Sequence, residues 1–99
     1  MLNIDTNINN KELTVALNGR LDTVSAPVLE GKLKTAIDSI ESLVFDIKGL
    51  EYVSSAGLRV LLTAQKVMNK QGKMVVKGAN DVIMDIFEVT GFSDILTLE

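Results

Sequence analysis

Two adjacent hydroxyls, Ser54 and Ser55, stand in the run KGLEYVSSAGL (48–58), between an apolar stretch and the first turn of a helical period. Backbone N–H groups at a helix start are unpaired, and the helix dipole favours negative charge there. A phosphoryl group accepted by either serine would therefore be well tolerated. The plain alternative is an N-cap, worth about 1 kcal/mol. On residue types alone the cap is the stronger reading, and Gly57 reads equally well as a close-packing residue of helix on sheet.

Other chemistry is poorly supplied. The chain has no His and no Cys, which removes the commonest general base, the commonest metal ligand and all thiolate chemistry. A Ser-His-Asp triad and a Cys-His pair are excluded, and a zinc site is not expected. No phosphate-binding G-x-x-x-x-G-K-[ST] and no dinucleotide-binding G-x-G-x-x-G occurs, and Gly72, Gly78 and Gly91 lie too far apart to share a loop. A nucleophilic Ser55 would have only a carboxylate, Asp22 or Asp46, as its base. No catalytic residue, metal or cofactor is expected, and an enzyme or nucleotide-binding protein ranks last among the function classes.

The scaffold must be small. At 99 residues, 46% hydrophobic and 23% charged, the chain is expected to form one globular domain over 1–99. A net charge of −3 gives no basic footprint for nucleic acid. No stretch approaches the ~20 apolar residues of a membrane helix, and the first five residues, MLNID, lack the basic start of a signal peptide. The expectation is a cytoplasmic protein without membrane insertion.

Periodicity gives the elements. Leu2, Ile4 and Ile8, a turn at Asn9-Asn10, and the alternating Leu13, Val15 and Leu17 read as a β-hairpin ending at Gly19. Ala26, Leu29, Leu33, Ala36, Ile37 and Ile40 share a helical face over 26–40, with Pro27 in the first turn and Ser25 or Thr23 near the cap. The short apolar stretch 43–47 reads as a central strand covered on both faces. A second helix over 56–71 shows a polar stripe of Arg59, Thr63, Lys66 and Lys70, with Gly72 ending it in the left-handed conformation. A strand at 74–76 follows, then a helix over 81–90 with Val82, Ile83, Ile86 and Phe87 inward, Gly91 at its end, and a last strand at 95–98. Leu29, Leu33, Phe45, Leu61, Leu62 and Phe87 are expected in the core. The order β-β-α-β-α-β-α-β gives an α/β fold, a mostly parallel sheet with an antiparallel edge hairpin, flanked by helices. The loop at 48–58 leaves the C-terminal end of the central strand, where ligands bind in open α/β sheets.

The run from Phe45 to Leu50 and on through Tyr52-Val53-Ser54-Ser55-Ala56-Gly57-Leu58-Arg59 resembles the signature of STAS domains, most of all the bacterial anti-sigma-factor antagonists. Gly19-Arg20-Leu21-Asp22, Ala26-Pro27 and Gly91-Phe92 agree with it in order. The resemblance implies a phosphorylation-regulated binding module, not an enzyme. Unmodified antagonist binds an anti-sigma factor that is also an ATP- and magnesium-using serine kinase, and so frees a sigma factor. Phosphorylation of one serine ends this, and a phosphatase restores it. That serine matches Ser55. Many members carry Asp just before it, where this chain has Ser54, so Ser54 is a second candidate acceptor.

The resemblance also marks a partner-binding surface of Asp22, Tyr52, Val53, Ser54, Gly57 and Arg59. Asp22 reads either as a partner contact or as a turn or cap residue. Val53 reads as an exposed contact or as core filling, and Arg59 as a docking residue or a solvated charge. A free monomer is expected. The alternative function is a non-switch STAS module acting as the soluble partner of a transporter or signalling complex.

Overall fold

The alternation of Leu13, Val15 and Leu17 does organise the sheet. A computed structural model describes residues 2–99. In it β1 (Leu2–Asn9) pairs antiparallel with β2 (Glu12–Leu21), which pairs parallel with β3 (Ser42–Val53) and that in turn with β4 (Lys73–Lys77). The strand order is β1-β2-β3-β4, with the hairpin strand at one edge and β3 inside the sheet. Between them run α1 (Ala26–Ala36), continued by a 3-10 turn at Ile37–Ser39, and α2 (Ser55–Gln71); α3 (Asp81–Thr90) follows β4. Asn10 takes the left-handed conformation in the hairpin turn. The expected α/β architecture with an antiparallel edge holds.

The two crossovers step in one direction, from β2 to β3 and from β3 to β4. Right-handed crossovers in one direction place α1 and α2 on one face of the sheet. That face is the core: Leu13, Val15, Leu17, Leu43, Phe45, Ile47, Met74 and Val76 are all buried, with Leu29, Leu33, Leu61, Met68 and Phe87 packed over them. The opposite face, with Thr14, Ala16, Val44, Asp46 and Val75, is half-buried. The central strand is therefore covered on one face only. Its near-continuous apolar run is closed on the outer side by Val44 alone.

Four further expectations need correction. The segment 48–53, read as loop, is strand: β3 continues to Val53 against a β2 that continues past Gly19 to Leu21. Two bulges each insert one extra residue into β3, opposite Ala16/Asn18 and opposite Gly19/Arg20. They reset the side-chain phase, so Leu50 points inward and Glu51 and Tyr52 outward, and the period of two disappears from the sequence. The last strand at 95–98 shrinks to one bridge, Val76 to Leu98, because a 3-10 turn at Phe92–Asp94 carries helical bonding on to Leu96. Gly72 is extended, at φ 173°, rather than left-handed. Glycine is required there because a Cβ would overlap the Glu41 carbonyl. Finally, Leu62 is half-buried, and Val82 is 57% exposed, since it lies on the outer side of α3 from Ile83 and Phe87.

Leu61 is fully buried whereas Leu62, its neighbour, flanks the core. Leu61→Ala should cost about 2–5 kcal/mol in urea unfolding, and Leu62→Ala clearly less. Equal losses would contradict this orientation of α2.

Candidate functional site

The end of β3 delivers the chain directly into α2. Ser54 donates its N–H to the Leu21 carbonyl at 2.8 Å, so the last residue of β2 anchors the turn. Ser54 is extended, with φ −89° and ψ 175°, and its Oγ accepts the N–H of Gly57 at 3.3 Å while its carbonyl accepts the N–H of Leu58 at 2.9 Å. These are the bonds of an N-cap. Ser55, the first residue of α2, is exposed, and its hydroxyl makes no hydrogen bond among the described residues. The two serines have thus divided the two roles left open by the sequence: Ser54 caps, and Ser55 presents a free hydroxyl at the positive end of a helix.

Gly57 is buried beneath this turn. A Cβ on it would stand 2.7 Å from Leu21 Cγ and 2.9 Å from Val53 Cγ2. Val53 is 2% exposed, so it fills the core under the turn instead of offering a surface contact; the last register pair, Leu21 with Val53, turns it inward. Gly57 likewise supports the surface from below.

Asp22 follows Leu21 and builds the neighbouring turn. Its Oδ1 accepts the N–H groups of Val24 at 3.1 Å and Ser25 at 3.0 Å and the Ser25 hydroxyl at 3.0 Å. The Ser25 Oγ accepts the Asp22 N–H, and its single proton is shared between Asp22 Oδ1 and the Arg20 carbonyl, 2.8 Å away. Ser25 occupies the N-cap position of α1 without a side-chain cap bond; its hydroxyl is committed to this turn. The backbone and hydroxyl bonds from Ser25, with a lesser contribution from the Val24 N–H, hold the Asp22 carboxyl below its ordinary value against the opposing effect of burial. Asp22 therefore holds the turn. The Asp-x-x-Ser spacing at 22 and 25 is the sequence signal for it.

The Arg20 guanidinium lies 4.6 Å over the Tyr52 ring, the residue opposite it in the register. Tyr52 is 36% exposed and so presents a held aromatic edge to solvent. Arg59 is exposed one helical turn beyond Ser55, the spacing at which side chains on a helix meet. Asp46 accepts the Lys48 N–H at 3.2 Å and shapes the first bulge. The structure thus gathers Asp22, Tyr52, Ser54, Ser55 and Arg59 at one end of the sheet. Sequence reasoning missed Arg20 and Ser25 as members, and missed Val24, 83% exposed beside Asp22.

A family model described as STAS domain matches residues 3–99. The chain is 30% identical over 98 residues to the anti-sigma-B factor antagonist of Bacillus subtilis (strain 168), covering 98% of this chain and 90% of that protein. Its fold is similar to the crystal structure of an anti-sigma factor antagonist from Mycobacterium paratuberculosis, with TM-score 0.89 and 23% identity over 99% of this chain and 85% of that one. It is also similar to the Bacillus cell fate determinant SpoIIAA in its phosphorylated form, with TM-score 0.78 and 15% identity over 98% and 91% of the two chains.

The division between the serines is measurable. Ser54→Ala should lower unfolding free energy by about 1 kcal/mol, the loss of a cap, while Ser55→Ala should leave it unchanged. A lowered carboxyl pKa stabilises the fold above the unfolded value and loses that contribution as pH falls through the folded value. Asp22 should therefore contribute at neutral pH and fade below the ordinary carboxylate range. Asp22→Asn should flatten the acid limb of a stability–pH curve; an unchanged acid limb would contradict the assignment.

Proposed function

The chain belongs to the STAS domain family, and from that premise we propose that it is an anti-sigma-factor antagonist switched by phosphorylation of Ser55. In its unmodified form it binds an anti-sigma factor, itself a serine kinase using ATP and magnesium, and so frees a sigma factor. The observation that carries the reading is the free, exposed hydroxyl of Ser55 beside a Ser54 already committed to the cap. The chain is then a kinase substrate and a binding module, and a phosphatase returns it to the binding state. It acts in the cytoplasm as a monomer when free. Among the described residues no helix is long and apolar enough to cross a membrane.

The mechanism follows from where the charge lands. A phosphoserine adds about −1.5 to −2 charge at neutral pH. At Ser55 that charge meets the N-terminal N–H groups of α2 and has Arg59 one turn away, so the domain keeps its fold. The docked partner meets the same charge on a surface shaped for a hydroxyl, close to the exposed Glu51 and Tyr52. Burying it uncompensated supplies the roughly 4 kcal/mol that a ~1,000-fold loss of affinity requires.

Incubation with the anti-sigma factor kinase and ATP should add a single phosphate, and mass spectrometry should place it on Ser55. Ser55→Asp should bind the anti-sigma factor weakly in calorimetry while melting like the parent, and Ser55→Ala should resist phosphorylation and still bind. Phosphate on Ser54, or tight binding by the stoichiometrically phosphorylated protein, would overturn the reading. The second of these would favour a non-switch partner of a transporter or signalling complex.

A further inference from the structure

The charges of this chain are sorted by segment. Residues 52–80 hold five bases, Arg59, Lys66, Lys70, Lys73 and Lys77, and no acid; residues 78–99 hold five acids, Asp81, Asp85, Glu88, Asp94 and Glu99, and no base. The whole of α3 lies in the acidic segment. Its inner side is Ile83 and Phe87, both fully buried. Its outer side carries Val82 and Val89, 57% and 87% exposed, and between them the half-buried Ile86 bridges from this side to the core, against which it packs. At roughly 100° per residue these three form one stripe, and Asp81, Asp85 and Glu88 run along its edge. A shallow cavity of about 260 Å³ opens on the stripe, lined by Asp85, Ile86, Val89 and Thr90. Valine is a poor helix former beside Ala or Glu, and an exposed aliphatic stripe is the mark of an interaction surface.

We propose that the outer face of α3 is a docking surface for a cationic amphipathic segment of another protein, one that sets Lys or Arg beside aliphatic side chains. The sign of the charge chooses among occupants. The α3 face of a second copy, anionic lipid headgroups and nucleic acid all carry like charge and are repelled. The α2 face of a second copy has the right sign, but its exposed row of Arg59, Thr63, Lys66 and Lys70 is wholly polar and offers nothing to the valine stripe. A foreign segment with both features satisfies the aliphatic stripe and the row of carboxylates together. Different residues from those around Ser55 form this surface, and it stands independently of the phosphorylation reading.

The probe is an amphipathic Leu/Lys peptide long enough for about four helical turns, titrated into the isotope-labelled protein and followed by amide chemical shifts. Saturable shifts should centre on Asp81–Thr90. They should weaken in high salt and be absent with a Leu/Glu peptide of the same pattern. Val82→Ser with Val89→Ser, both exposed and so compatible with the fold, should weaken binding about tenfold or more with all carboxylates in place, and melting should confirm that the variant is folded. No saturable shift, shifts centred on another face, an undiminished affinity in the folded double variant, or self-association of the chain through α3 would overturn the proposal.

Discussion

The close approach of α2's first turn to the ends of β2 and β3 is the constraint on which the site depends. Gly57 permits it, because any side chain there would stand within 3 Å of Leu21 and Val53. With the helix pressed down, the Leu21 carbonyl receives the Ser54 N–H, and Ser54 is held extended as a cap. Ser55 is then the first helical residue and points away from the sheet. The same contact brings the Asp22–Ser25 turn alongside, since that turn grows directly from Leu21. The core depends on it too: Leu58 and Leu61 enter the apolar layer only at this spacing of helix from sheet.

The strand order explains why the result is a surface and not a cleft. Doubly wound sheets bind ligands where the strand order reverses and two loops part. Here β2, β3 and β4 advance without reversal. The C-terminal ends of the strands still carry the functional turn, but no crevice opens between them. A cavity of about 400 Å³ instead lies between α1 and α2, lined by Leu33, Ile37, Val60, Ala64 and Val67 among others, away from the serines. One free, exposed hydroxyl at this turn fits the proposed recognition by a protein that brings its own catalytic groups.

Much of this was legible in the sequence. The helices are marked by long apolar stripes, and Leu13, Val15 and Leu17 mark the hairpin by strict alternation. The second half of β3 was not legible, because two bulges erase its period: Leu50 and Val53 point inward three residues apart, which imitates neither strand nor helix. The last strand misled for the opposite reason, since Ile95 to Leu98 has strand-like composition but spends itself on a 3-10 turn and one bridge. At the site, the two serines were indistinguishable by type. Only the hydrogen bond from Gly57 separates the cap from the free hydroxyl. Asp22 was balanced between two roles, and its three bonds with Val24 and Ser25 establish the one in the turn.

The same bonds explain how a charge can be added here without consequence for the fold. A modification that disturbed Ser54 would remove a cap and loosen the seat of α2. One at Ser55 breaks no hydrogen bond, displaces no buried atom and places its charge where the peptide dipoles favour it. Its effect on the free protein is small, so nearly all of its free energy is available to be expressed when a second surface tries to close over it. If Ser55 is the acceptor as proposed, capping by the residue before it decouples stability from signalling. A chain with no capping side chain before the proposed acceptor would have to cap the helix and accept the phosphate with the same oxygen. With Ser54 fixed inward and Ser55 free, the two demands fall on different atoms.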